Sequence, residues 1–219
     1  MAKHLQREID SLKKKLLHLS TIVEEHVLRA VRSVEKNDAD MARRVFDQDV
    51  IVDKVEIEVE EECLKTLALH QPVATDLRLI ISALKINNDL ERIGDMAVNI
   101  ARKAVGLAAE PPVEIAFDLT EMWSKTHAML RDSLDALVNM DTTMAQNVCA
   151  RDDEIDAMKH DFRVEMEQRI QRDPENVKQY LRLMAISRNL ERIADLATNI
   201  AEDVIYLAEG KIIRHGEKG

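Results

Sequence analysis

The chain has 219 residues, 31 Lys and Arg against 41 Asp and Glu, and a formal net charge of -10. Only 5 Gly and 4 Pro are present, where average usage would give roughly 26 at this length, so the many tight turns of a β-sandwich or barrel have no material to form from. An apolar share of 46% with few aromatics and abundant Ala, Leu, Glu and Arg points instead to an all-helical soluble protein with a real core, and the acidic balance argues against nucleic acid as a partner.

In chain order, a helical pattern over residues 3–35 ends at Asn37-Asp38, which suit a cap. A second helix spans residues 40–69 and stops at Gln71-Pro72, because proline disfavours α geometry in its predecessor and clashes inside a helix. A third runs to about residue 109, and Pro111-Pro112 mark the joint between halves. The fourth covers 114–139, the fifth starts with Asp141 as N-cap, and Asp173-Pro174 reads as N-cap plus first position of a sixth that Gly210 closes. The expected domains are residues 1–110 and 111–219, each a three-helix bundle. No apolar run approaches the ~18 residues needed to span a bilayer, and the N-terminus lacks the apolar core of a signal peptide. Cys63 and Cys149 are far apart and outside any metal-finger spacing, so a reducing, cytoplasmic setting is expected.

The plan is duplicated. LERIGDMAVNIA (90–101) and LERIADLATNIA (190–201) agree at nine of twelve positions with an offset of 100, and DVIVD (49–53) resembles DDEID (152–156) with an offset of 103. Within each long motif, Glu91 and Asp95, like Glu191 and Asp195, are four residues apart and stack one turn above another beside a core stripe of Leu90, Ile93, Ala97 and Ile100. On the second helix Asp49, Asp53, Glu56 and Glu60 form an acidic stripe at i, i+4, i+7 and i+11. An antiparallel hairpin turning near Gln71 sets Asp53 beside residues 89–91 and Asp49 beside 93–95, and the same count about Asp173 sets Asp156 and Asp152 near Glu191 and Asp195.

Like charges at i, i+4 cost a helix a few tenths of a kcal/mol each, so gathering four carboxylates twice calls for compensation. Oxygen-only ligand sets suit iron, manganese, magnesium, calcium or zinc, and paired carboxylates can bridge two ions. A carboxylate metal site is therefore expected in each half, against the plainer reading of solvated faces paired with Arg92, Arg102, Arg188 and Arg192. Lys159 and Arg163 replace Glu56 and Glu60, so the second site should hold less cation charge. No ExxH or HExxH pattern and no GxxxxGK occurs, which disfavours a ferritin-like oxidase and ATP hydrolysis. His26, His70, His127 and His160 are expected as partly exposed helix polarity rather than ligands. The methionines, Trp123, Phe117 and Phe162 read as core filling, and Lys13-Lys14-Lys15 as a solvated patch.

The twin LERIGDMAVNIA and LERIADLATNIA motifs, with HQPVATDLR (70–78), DVIVD and DDEID, resemble the PhoU family over essentially the whole chain. The resemblance implies tandem three-helix bundles and E/DxxxD motifs that bind iron or zinc clusters. It further implies a cytoplasmic negative regulator of phosphate uptake and phosphate-starvation signalling, acting between the ATPase subunit of the phosphate ABC transporter and the phosphate-sensing histidine kinase. It meets the membrane only through these partners, and a homodimer is expected. Carried over by position, the metal candidates are Glu91, Asp95, Glu191 and Asp195, faced by Asp49, Asp53, Asp152 and Asp156; Val50 departs from the DDEID form. The resulting expectation is a non-enzymatic adaptor. The alternatives are a carboxylate-bridged metalloenzyme acting on phosphate esters and a scaffold without metal.

Overall fold

A computed structural model describes residues 2–113 and 119–210, and these form an all-α structure with no strand among the described residues. Helix α1 spans Ala2–Glu35, α2 Ala39–His70 and α3 Ala74–Ala108; after the joint come α4 Leu119–Asn139, α5 Thr142–Cys149, α6 Asp152–Arg172 and α7 Val177–Glu209. The expected beginning of the fourth helix, residues 114–118 with Phe117, lies outside the described residues.

The boundaries follow local chemistry. Asn37 turns the chain with φ 50°, and the Asp38 carboxylate accepts from the Met41 amide at 2.8 Å to cap α2. The second half repeats the device: Met140 has φ 53° and Asp141 accepts from the Met144 amide at 3.0 Å. Gln71, left-handed at φ 44°, ends α2 ahead of Pro72, and Gly210 ends α7 at φ 71°, a conformation that suits a residue without Cβ.

Two expectations are corrected. The fifth helix is not continuous: Ala150 and Arg151 interrupt it between α5 and α6. The Arg151 guanidinium is drawn to Asp132 at 2.7 Å, while Asp152, Asp153 and Glu154 supply the negative first turn that favours a new helix N-terminus. At the other end, Asp173 does not cap with its side chain. Pro174–Asn176 form a 3₁₀ turn before α7, and the Asp173 carboxylate accepts from Asn176 Nδ2 at 2.7 Å and the Tyr180 hydroxyl at 3.0 Å. Those bonds hold the Asp173 carboxyl below its usual range.

Helices α1, α2 and α3 pack on one another, α7 packs on α4, α5 and α6, and α3 lies against α7. The two units consequently share one interior. Leu90, Ile93, Ala97 and Ile100 are buried as their spacing requires, and they join Val23, Val59, Met129, Ile155, Ile193 and Ile200 in a single apolar cluster. A smaller cluster of Phe162, Met166, Tyr180 and Leu183 closes the far end of the second unit. Trp123 is buried. Lys13 and Lys14 are solvated, whereas Lys15 pairs with Glu62 at 3.2 Å. The cysteines are free, and burial first, then nearby carboxylates, pushes the Cys63 thiol up to about 12.

Candidate metal centres

The hairpin of α2 and α3 brings the first four carboxylates together. A Cβ added to Gly94 would stand 3.2 Å from Val52 Cγ1 and 3.9 Å from Asp49 Oδ1, so this glycine lets the two helices close where Asp49 faces the LERIGD motif. Burial, and then Asp95, Glu56, Asp53 and Asp49 in turn, raise the Glu91 carboxyl above its ordinary range. Asp49 is raised by burial and by Asp53 and Asp95, with Arg102 acting the other way. All four predicted residues of the first half thus lie in one electrostatic neighbourhood, as the residue count required. Glu56 extends it: burial, Glu60 and Asp53 raise its carboxyl, against a hydrogen bond donated by Asn87 Nδ2 at 2.8 Å.

In the second half α6 and α7 assemble Asp152, Asp156, Glu191 and Asp195. Asp195 is exposed, yet partial burial of its carboxyl first and then Glu191, Asp152 and Asp156 push it up to about 6. Asp152 is raised by burial and by Asp156, Asp153 and Glu191, while it accepts from the Thr198 hydroxyl at 3.3 Å. Here a cation is built in. Lys159 Nζ donates to Glu191 at 2.5 Å and to Asp156 at 2.9 Å, which raises the ammonium's own pKa. Arg163 departs from the expectation, for its nearest acidic partner is Glu167, one turn along α6, at 3.8 Å. Both carboxylate groups open on one groove of about 1010 Å³, lined by Asp95 from the first half and Asp152 and Asp195 from the second, with Arg92 and Arg192 at its walls.

Of the plainer reading, the solvated faces are present, since Asp53, Asp95, Asp156 and Asp195 are exposed, while charge pairing with the motif arginines amounts to the pull of Arg102 on Asp49. Arg92 pairs with Asp89 at 3.5 Å, and among the described residues none of Arg92, Arg102, Arg188 or Arg192 makes an ion pair with the eight carboxylates. Nor do three His, Cys, Asp or Glu side chains among the described residues already meet as a group able to hold a metal ion. Ligation would require carboxylates now held by Lys159 and Thr198 to turn inward. The donor set nevertheless fits a hard or borderline cation, because burial first and then mutual repulsion raise Glu91, Asp49, Asp152 and Asp195, and a cation offsets both.

Sequence reasoning missed His26. It is only 2% exposed, not partly exposed polarity, and its Nε2 lies 3.5 Å from Asp49 Oδ1. Burial and the neighbouring Arg29 lower its pKa to about 4. The signal was available: His26 stands in register with Val23, Val27 and Ala30 on the interior stripe of α1. His127 behaves differently, 3.1 Å from Glu24 and beside Trp123.

A family model described as PhoU domain matches residues 16–104 and again 119–204, once in each half. The chain belongs to the PhoU family. It is 36% identical over 211 residues to a phosphate-specific transport system accessory protein PhoU homolog from Aquifex aeolicus, covering 96% of each chain. A PhoU homolog of the same description from Pseudomonas aeruginosa is 34% identical over 98% of this chain and 89% of its own. Among solved structures, PhoU from Pseudomonas aeruginosa superposes with a TM-score of 0.92 at 35% identity, over 94% of this chain and 99% of that one. The phosphate transport system regulatory protein PhoU from Streptococcus pneumoniae gives 0.86 at 26% identity, over 96% and 100%.

Proposed function

We propose that this PhoU-family chain is a non-enzymatic negative regulator of phosphate uptake and phosphate-starvation signalling. On this reading it works in the cytoplasm as a homodimeric, metal-binding adaptor between the ATPase subunit of a phosphate ABC transporter and a phosphate-sensing histidine kinase. Full-length kinship to proteins described as accessory to the phosphate-specific transport system supports the role. The observation that carries it is the duplicated carboxylate constellation, with units 1–110 and 111–219 each supplying one. No helix among the described residues is long and apolar enough to cross a membrane, so contact with a transporter runs through protein surface.

The chain's own residues account for how such an adaptor works. Asp49 and Asp53 on α2, with Glu91 and Asp95 on α3, would hold iron or zinc in the first half; Asp152, Asp156, Glu191 and Asp195 would do so in the second. A bound cation supplies positive charge that ties α2 to α3 and α6 to α7. Without it the carboxylates of each pair repel, and in the second half Lys159, with the Thr198 hydroxyl on Asp152, offsets part of that repulsion. On the outer side of α2, Val50, Ile57 and Leu64 repeat every seven residues at 68%, 51% and 54% exposure, an apolar stripe of the kind that protein partners cover. The pairing of α2 with α3 sets where that stripe is presented.

A reporter of phosphate-starvation transcription tests the role. In phosphate-rich medium, deletion of the gene should switch the reporter on and complementation should silence it; a low signal in the deletion strain refutes the assignment.

A further inference from the structure

Every polar group in the interior of α1 should have a partner, since a buried nitrogen without one forfeits hydrogen bonds it made in water. His26 breaks that rule. Its ring is buried, and Nε2 has no hydrogen-bond partner. The atom it faces is Asp49 Oδ1, 3.5 Å away, on the acidic stripe of α2. A nitrogen and an oxygen bound to one tetrahedral ion, with bonds of about 2.0–2.2 Å, stand about 3.3–3.6 Å apart. The pair therefore already has the separation of two ligands of one cation, while being too long to satisfy either atom as a hydrogen bond.

The repeat isolates the feature. The left-handed residues Asn37 and Met140 and the capping aspartates Asp38 and Asp141 align the first two helices of each half at an offset of 103. Burial follows the same register: Ser20, Val23, Val27, Ala30 and Val31 are buried, as are Trp123, Thr126, Leu130, Ser133 and Leu134. Asp49 corresponds to Asp152, and His26 to Met129, which is buried and carries no imidazole. Among the described residues, the buried imidazole beside Asp49 has no counterpart at the matching buried position of the second half.

Building on the reading that the first carboxylate group holds a metal, we propose that His26 Nε2 is a direct ligand of that ion together with Asp49, making the first centre a mixed nitrogen and oxygen site. Carboxylates alone suit magnesium, calcium and manganese, whereas an imidazole favours zinc, iron(II), cobalt and nickel. The first centre is accordingly selective for borderline transition ions. The second has Met129 in the matching buried position and a tethered Lys159 among its carboxylates.

The test uses the full chain carrying Asp152→Asn and Asp195→Asn, so that the first centre is isolated. It is stripped with chelator and reloaded with one equivalent of zinc. Zinc-edge X-ray absorption should show the outer-shell scattering of one imidazole, and His26→Met, which copies the residue of the other half, should lose it. In parallel, competition titration should show the preference for zinc over magnesium falling about tenfold or more in His26→Met. His26→Gln serves as a second variant should methionine unsettle the core, with circular dichroism as the check on folding. An oxygen-only zinc shell in the parent, or an unchanged imidazole signal in both variants, overturns the proposal while leaving the carboxylate centre standing. A parent that takes up no zinc, and whose behaviour Glu91→Ala with Asp95→Ala does not alter, refutes the metal reading and this inference together.

Discussion

The two halves keep a common interior and differ at the carboxylates. Leu90 and Leu190, Ile93 and Ile193, and Ile100 and Ile200 are buried alike, so the LERI and NIA segments hold α3 and α7 in one apolar cluster. Around the acids the correspondence fails: Glu56 is matched by Lys159, His26 by Met129 and Gly94 by Ala194. The first half has Arg102 acting on Asp49 and an amide from Asn87 on Glu56 as internal relief, whereas the second holds a lysine bonded directly to Glu191 and Asp156. A duplicated scaffold has thus been kept where packing demands it and tuned where charge is held.

The largest effect should come from breaking the shared interior. Leu90→Ala and Leu190→Ala should each cost about 2–5 kcal/mol, and because both side chains belong to one cluster, each variant should still melt in a single calorimetric transition. Two separated transitions in either variant would mean that the halves unfold independently.

Next in size is conversion of one half toward the other. Lys159→Glu copies Glu56 and removes the ammonium that neutralises Glu191 and Asp156. The metal-free protein should melt at lower temperature, and the second centre should resist chelator at about tenfold higher concentration, since two close unit charges are worth about 4 kcal/mol near a protein surface and tenfold needs about 1.4. Equal chelator resistance in variant and parent would remove Lys159 as the source of the difference between the centres.

The smallest effect is the pH dependence carried by Asp195 in the second half. Asp195 titrates at about 6 when folded and near 3.9 when unfolded, so between those values the folded state binds more protons. Its contribution to stability is present below the unfolded pKa and is lost as pH rises through about 6. Asp195→Asn should therefore raise the melting temperature of metal-free protein at pH 7, and the advantage should shrink to nothing near pH 4. A constant difference across that range would show that the carboxyl is not held up by burial and its acidic neighbours.

Most of this architecture was legible because its signals are local. Pro72 and the Pro111-Pro112 pair stop helices through sterics, Asp38 and Asp141 cap through their own carboxylates, and equal rise per residue carried Asp49 and Asp53 to Glu91 and Asp95. The interruption at Ala150 and Arg151 was not legible, since neither residue forbids a helix and the break depends on Asp132, which approaches from α4. Arg163 was misplaced because charge was read from register alone, while the rotamer finds Glu167 along the same face. His26 was misread by residue type although its spacing put it inside. Whether a buried imidazole is a core residue or a donor turns on what α2 presents to it, and that is a tertiary fact.

The claim that the halves are unequal metal centres is tested most directly by stepwise chelation of zinc-loaded protein, followed by elemental analysis, in the parent and in two variants, Glu91→Ala with Asp95→Ala and Glu191→Ala with Asp195→Ala. The parent should release metal in two stages. The first variant should lose the chelator- and acid-resistant stage while remaining folded, and the second variant should lose only the weaker one. Loss of the resistant stage from the second variant instead, or a metal content per chain that neither pair of substitutions changes, would contradict the account.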